Sequence, residues 1–196
     1  VLAFWLVVAS AIFDFFDGMV ARLLKVKSLI GKELDSLADV ISFGFLPGAI
    51  MYTMLREVSS SEFVPYLGFV ITIFSALRLA KFNIDDTQYA EFCGLPTPAN
   101  GLFCLSLAML ANAGDITLAK EVIVAISIIM ACLLISPIRM FALKFHGFGW
   151  AGNELRYTFM LTCALLIAIL PKFAIPTIFI LYIIILEGCC LWAMGG

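Results

Sequence analysis

The sequence predicts an all-α protein, a polytopic transmembrane helical bundle with about seven membrane helices. Hydrophobic residues make up 63% of its 196 residues, charged residues only 13%, and the mean hydropathy is +1.10. A soluble domain cannot bury that much apolar surface. Long apolar runs also recur along the whole chain, separated by short polar or proline-containing turns. We expect one integral-membrane domain over residues 1–196.

Hydropathy and chain-breaking residues delimit the individual helices. The chain begins at Val1 inside an apolar run, so we expect one further helix ahead of it. Turns such as EVSSSE and NAGD, and the prolines Pro137 and Pro171, separate the later runs. The predicted segments cover about residues 1–24, 31–55, 63–82, 98–113, 118–135, 155–170 and 175–193.

Lysine and arginine residues predict the orientation of the bundle. If the segments alternate in direction, only Arg56, Lys120 and Lys172 fall on one side. The positive-inside rule then places the richer side in the cytoplasm of a bacterial or archaeal-type cell. That side holds Arg22, Lys25, Lys27, Lys32, Arg78, Lys81, Arg139, Lys144 and Arg156.

Four aspartates stand out at the predicted cytoplasmic ends of the first two segments. Asp14 and Asp17 are three residues apart, and Asp35 and Asp39 are four apart, so each pair shares one helix face. If the two helices are neighbours, the four carboxylates converge and repel one another unless a cation lies among them. Oxygen-only ligands suit magnesium, manganese or calcium over zinc, and we expect two ions, Mg²⁺ or Mn²⁺. The six cysteines are scattered through apolar runs, which makes zinc an unlikely alternative.

Small residues and one arginine lie between the two aspartate pairs. Gly18, Ala21 and Gly31 leave room for a ligand to approach the backbone, and Arg22 offers a planar fork suited to phosphate. Metal, phosphate and a spare carboxylate together are typical of phosphoryl transfer. Capping of helices by the aspartates is the simpler alternative. It suits Asp35 better than Asp14 or Asp17, which lie at the wrong end of their helix.

The pattern Asp-x2-Asp-Gly-x2-Ala-Arg-x8-Gly-x3-Asp-x3-Asp, from Asp14 to Asp39, resembles the signature of the CDP-alcohol phosphotransferase family. The resemblance implies a membrane enzyme that moves a phosphatidyl-type group from a CDP-linked lipid to an alcohol. It implies four metal-binding aspartates, Asp39 as the general base, and a homodimer. The CDP-lipid is then expected to bind at Gly18, Ala21, Arg22 and Gly31.

Three later stretches resemble the phosphatidylserine synthase branch of that family. They are ALRLAKFN from Ala76, GLPTPAN from Gly94, and LLISPIRMFALKF from Leu133. The resemblance implies CDP-diacylglycerol as donor and L-serine as acceptor, in contact with membrane lipids. The residues expected to bind the acceptor or the lipid phosphate are Arg78, Lys81, Asn83, Pro96, Asn100 and Arg139.

Other functions remain open at this point. The same site could use glycerol 3-phosphate or an inositol phosphate as acceptor. A cation carrier with intramembrane carboxylates is a rival from another class, although the sequence shows no paired half-repeats. Nucleic acid is not expected as a partner, because no basic stripe is present.

Overall fold

The computed structural model describes residues 28–84, 94–137 and 154–194, with the isolated positions 9, 10, 12, 13, 16, 19, 20, 23 and 24. Several residues singled out above lie outside this described part. They are Asp14, Asp17, Gly18, Ala21, Arg22 and Arg139.

The described part of the chain is helical and contains no strand, which confirms the all-α class. The α-helices are α1 (Leu29–Asp39), α2 (Leu46–Val58), α3 (Val70–Ile84), α4 (Thr97–Asn112), α5 (Lys120–Ile135), α6 (Glu154–Ile169) and α7 (Ala174–Met194). A π-helical segment, Val40–Phe45, joins α1 to α2, and a 3₁₀ segment, Val64–Phe69, leads into α3.

Two helical stretches in the described residues are long and apolar enough to cross a membrane. They run from Glu33 to Val58 and from Val64 to Asn83. Apolar helices of intermediate length cover Tyr157–Ile169 and Ala174–Ile185. Helices α4 and α5 have 16 residues each, and a bilayer needs about 20. The figure of about seven membrane helices therefore stays a prediction, as does the single domain over residues 1–196.

By internal packing the chain divides into two compact units. The first comprises Val1–Asp86 and Leu95–Ser136, and the second comprises Thr87–Gly94 and Pro137–Gly196. In the second unit α6 packs on α7, and the rings of Phe159 and Tyr182 lie 6.0 Å apart. The predicted site residues in the described part belong to the first unit.

Glycines allow α2 and the 3₁₀ segment to approach very closely. A Cβ atom added to Gly68 would lie 2.5 Å from the backbone nitrogen of Tyr52 and 2.9 Å from the carbonyl carbon of Met51. A Cβ atom on Gly48 would collide with the Thr72 hydroxyl. Only glycine permits this backbone-to-backbone distance, because any larger residue would push the two elements apart.

The π-helical segment lies between α3 and α4 in the first unit. Its last turn is marked by the Leu46 amide, which donates to the Ile41 carbonyl five residues earlier. The hydroxyl of Thr72, on α3, donates to the Gly44 carbonyl at 3.0 Å. Phe43 is buried in a cluster with Leu105 of α4, so this irregular stretch is fixed by packing on both sides.

We expect Gly68→Ala to destabilise the protein by about 1–3 kcal/mol, because a backbone rather than a flexible side chain must move. For a chain of this size that is a loss of several degrees in Tm. The measurement is thermal unfolding of the purified protein in detergent. Gly31→Ala is the matched control, since its added Cβ would lie at an ordinary 3.4 Å from the Ser28 Cβ. Equal Tm values for the two variants would contradict the close approach.

Candidate active site

Helix α1 presents the second pair of aspartates. Ser28 begins the helix as its N-cap and accepts a hydrogen bond from the Gly31 amide at 3.2 Å. Asp35 is exposed, whereas Asp39, one turn later, is half-buried. The π-helical segment starts directly after Asp39. The two carboxylates therefore share one face, as the spacing predicts, but lie in different surroundings.

Helix α3 carries Arg78, a positively charged residue that interacts with Asp39. Arg78 is half-buried and interacts electrostatically with the Asp39 carboxylate. Its Nε atom is buried and has no hydrogen-bond partner among the described residues. A buried donor without a partner is unusual in a native protein and calls for a water, an ion or a ligand. Arg78 can thus hold an anionic group beside Asp39.

Asn83 connects the end of α3 to α1. Its Nδ2 donates to Ser36 Oγ at 2.9 Å and to Glu33 Oε2 at 3.3 Å. Ser36 Oγ also lies 3.3 Å from Asn83 Oδ1, within hydrogen-bonding distance. Ser36 sits between Asp35 and Asp39 in the sequence, so this contact holds the helix that carries both carboxylates. Neither Glu33 nor Ser36 was predicted as a site residue, and only the structure reveals their part.

Of the two residues predicted from the second acceptor stretch, Pro96 is half-buried and Asn100 is buried. Asn100 is fully buried near the start of α4, and its backbone N–H donates to the Pro96 carbonyl at 3.1 Å. The Pro96 carbonyl thus accepts a hydrogen bond in the first turn of α4. The Asn100 side chain accepts from Cys104 Sγ at 3.8 Å, and its Nδ2 has no partner in the described part.

The structure therefore brings some predicted residues together and leaves others apart. Asp39 meets Arg78, and Asn83 meets α1. Lys81 is exposed on α3, and the polar contacts of Asn100 among the described residues are to Pro96 and Cys104. Ser75 was missed entirely. It is fully buried one turn before Arg78, and its hydroxyl has no hydrogen-bond partner among the residues that the structure describes. Its sequence signal is a polar residue inside an apolar run.

One described contact links the first predicted segment to this region. Ser10 Oγ donates to Ser42 Oγ at 3.1 Å. Ser10 precedes Asp14 by four residues, and Ser42 follows Asp39 by three. The hydrogen bond therefore joins a residue that is near Asp14 in the sequence to one that is near Asp39.

The donor set suits a hard divalent ion. Asp35 and Asp39 offer carboxylate oxygens four residues apart on one helix face, a chemistry that magnesium and manganese prefer. In the ranges that the structure describes, no group of three or more histidine, cysteine, aspartate or glutamate side chains converges. The remaining predicted ligands, Asp14 and Asp17, lie outside those ranges.

Comparison with known proteins gives consistent matches. The family model described as CDP-alcohol phosphatidyltransferase matches residues 1–137. A CDP-diacylglycerol–serine O-phosphatidyltransferase of Helicobacter pylori is 41% identical over 114 residues, covering 57% of this chain and 48% of the relative. Proteins of the same name from Bacillus subtilis and Methanocaldococcus jannaschii are each 37% identical, over 103 and 110 residues. These matches cover 50% and 56% of this chain and 55% and 52% of those relatives. The chain thus spans about half the length of the curated relatives that it matches.

We expect Asn83→Asp to destabilise the protein more than Asn83→Ala at neutral pH. The new carboxylate would face Glu33, whereas alanine only removes hydrogen bonds worth about 1 kcal/mol. The expected difference in Tm is a few degrees, measured by thermal unfolding. Glu33→Gln provides the control, because it removes the repulsion and should restore the Asn83→Asp protein to the level of Asn83→Ala. If Glu33→Gln does not change the Tm of the Asn83→Asp protein, the predicted contact between Asn83 and Glu33 is wrong.

Proposed function

The chain belongs to the CDP-alcohol phosphatidyltransferase family, and from this premise we propose that it transfers a phosphatidyl group from CDP-diacylglycerol to L-serine, releasing CMP. The observation that carries the proposal is the electrostatic interaction between a half-buried carboxylate, Asp39, and a half-buried guanidinium, Arg78. The choice of serine is supported by the relatives, which are named for that acceptor.

Divalent metal is the expected cofactor, since the family generally depends on it. We propose that two ions, Mg²⁺ or Mn²⁺, are held by Asp14, Asp17, Asp35 and Asp39. The oxygen donor set on α1 fits such ions, and the Ser10–Ser42 hydrogen bond supports the neighbourhood of the two aspartate pairs. When bound, the ions supply positive charge that stabilises the diphosphate of the donor and the departing CMP.

The donor is proposed to bind along the first half of the aspartate motif. Gly18, Ala21 and Gly31 leave the backbone open to the cytidine nucleotide, and Arg22 can contact a phosphate oxygen through two N–H groups. Gly31 lies exposed in the first turn of α1, beside its Ser28 cap. An exposed glycine there is compatible with a nucleotide lying against the helix.

Asp39 is proposed to act as the general base. Its carboxylate accepts the proton of the serine hydroxyl while the oxygen attacks the phosphorus that bears the diacylglycerol. The new P–O bond forms as the bond to the CMP phosphate breaks, and CMP leaves with the electron pair. No covalent enzyme intermediate is required. The half-buried position of Asp39 suits this role better than the exposed position of Asp35.

Arg78 is proposed to bind the carboxylate of serine or the lipid phosphate. It interacts electrostatically with Asp39, and its buried Nε lacks a hydrogen-bond partner in the described part of the chain. Asn100 has a buried, unpartnered Nδ2 on another helix. The other residues predicted to contact the acceptor or the lipid phosphate are Lys81, Asn83, Pro96 and Arg139. Asn83 has the added role of holding α1.

The protein is proposed to be integral to the membrane, with the aspartates facing the cytoplasm and a homodimer as the assembly. The family is membrane-associated, and two described helical stretches are long and apolar enough to cross a bilayer. Their large exposed side chains include Ile41, Phe45 and Ile73, which suit contact with lipid. The lysine and arginine distribution supports the orientation.

We expect Asp39→Asn to lower kcat by about 100-fold or more, the usual range for loss of a general base. Asp35→Asn should instead raise the Mg²⁺ concentration needed for half-maximal activity, because a metal-binding oxygen is lost. The measurement is CMP release as a function of Mg²⁺ concentration. Similar, mild effects in both variants would favour helix capping over catalysis.

The acceptor is tested by competition. Purified protein with CDP-diacylglycerol is offered serine, glycerol 3-phosphate and inositol phosphate together, and the lipid products are identified. We expect phosphatidylserine alone, and we expect Arg78→Ala to raise the KM for serine or abolish turnover. A phosphatidylglycerol phosphate product would retain the family chemistry and overturn the choice of serine.

A further inference from the structure

A polar cavity lies at the far end of α2 from the aspartates. It has a volume of about 470 Å³ and is lined by the end of α2, the turn of residues 59–63 and the start of the 3₁₀ segment. Arg56 lies 17 residues after Asp39 along a nearly continuous helix, a distance of about 25 Å. The cavity is therefore separate from the candidate active site, and what it binds rests on the proposed membrane integration but not on the proposed reaction.

The position of this cavity along the chain places it at the level of lipid headgroups. One candidate membrane span ends at Val58 and the next begins at Val64, so the turn between them lies where the chain leaves and re-enters the apolar layer. Phe63 is 82% exposed and Tyr66 60% exposed. Exposed aromatic side chains at this level are typical of the membrane–water interface.

Two opposite charges line the same cavity without forming an ion pair. Arg56 and Glu62 both border it, and neither forms a salt bridge with any residue that the structure describes. Arg56 is oriented by a hydrogen bond from its Nη1 to the Tyr52 hydroxyl at 3.1 Å. The Tyr52 ring in turn packs edge-on to Tyr66 at 5.3 Å. The guanidinium keeps its other N–H groups for a ligand.

The turn itself is shaped by serine side chains. Ser59 Oγ accepts from the Ser61 amide at 3.2 Å, and Ser61 Oγ accepts from the Phe63 amide at 3.4 Å. Each hydroxyl that accepts a backbone hydrogen bond still has its own proton to donate. These hydroxyls line the cavity together with Arg56, so one side of it offers a set of donors suited to a phosphate.

We propose that this cavity binds the headgroup of a net-neutral aminophospholipid of the bilayer, one that carries a phosphate and a primary ammonium. Arg56 and the serine hydroxyls hold the phosphate. Glu62 and the faces of Tyr52 and Tyr66 hold the ammonium, which is attracted both to a carboxylate and to aromatic rings. The acyl chains stay in the bilayer. Only a ligand that carries both a negative and a positive group can bind Arg56 on one side of the cavity and Glu62 on the other.

The test measures lipid binding to the delipidated full chain by native mass spectrometry, with phosphatidylethanolamine and phosphatidylglycerol as probes. We expect phosphatidylethanolamine to bind about tenfold more tightly, because only it can contact Glu62. Arg56→Gln should weaken its binding about tenfold, and Tyr52→Phe, which removes only the hydroxyl, by a few fold. Glu62→Gln should abolish the preference between the two lipids.

The matched controls carry the same charge changes elsewhere. Lys120→Gln and Glu121→Gln remove an exposed pair at the start of α5, 3.7 Å apart, and should leave lipid binding unchanged. Equal binding of the two lipids by the unaltered chain, or equal effects of the cavity and control variants, would overturn the proposal. Soluble glycerophosphoethanolamine should compete only at far higher concentration; competition as strong as that of the lipid would exclude the bilayer as the source of the headgroup.

Discussion

The close approach of two helical elements at Gly48 and Gly68 sets the geometry of the first unit. Because no side chain separates α2 from the 3₁₀ segment at this point, their backbones pack directly against each other. Helix α3 extends from the 3₁₀ segment, and its residues Arg78 and Asn83 interact with Asp39 and Ser36 of α1. Charged groups that meet at the edge of an apolar layer need such fixed partners, since each is costly to leave unpaired.

The surroundings of the two aspartates on α1 show how one helix can give similar side chains different tasks. Asp35 is exposed, and its charge is screened by water. Asp39 is half-buried and interacts electrostatically with the guanidinium of Arg78. In a medium of lower dielectric constant that attraction is stronger than at the surface. The two carboxylates of one helix therefore differ in their solvation and in the charge that acts on them.

Much of this arrangement could be predicted from the sequence. The spacing of Asp14, Asp17, Asp35 and Asp39 predicted the family, which the match over residues 1–137 confirms. The apolar runs predicted the outer ends of the described helical stretches to within a few residues, as for α4, expected at 98–113 and found at Thr97–Asn112. These features are local, because a helix depends on its own periodicity and a motif on its own spacing.

The features that could not be predicted depend on contacts between distant residues. Nothing in VISFGF distinguishes a π-helical stretch from an ordinary helix, because packing of Phe43 and the bond from Thr72 to Gly44 select it. The hydrogen bonds of Asn83 join positions 47 and 50 residues apart. Asn83 therefore looked like a ligand for the acceptor, and its contact with α1 emerges only from the folded chain.

The π-helical segment also makes corresponding faces of α1 and α2 point in different directions around the helix axis. A turn that closes five residues back rather than four contains about one extra residue, which rotates all that follows by roughly 100°. The face that α1 turns toward Asn83 and the face that α2 buries against Gly68 are consequently not one continuous stripe. One nearly continuous rod thus points its carboxylates and its closely packed glycine face in different directions, so a substitution on one face does not add a side chain to the other.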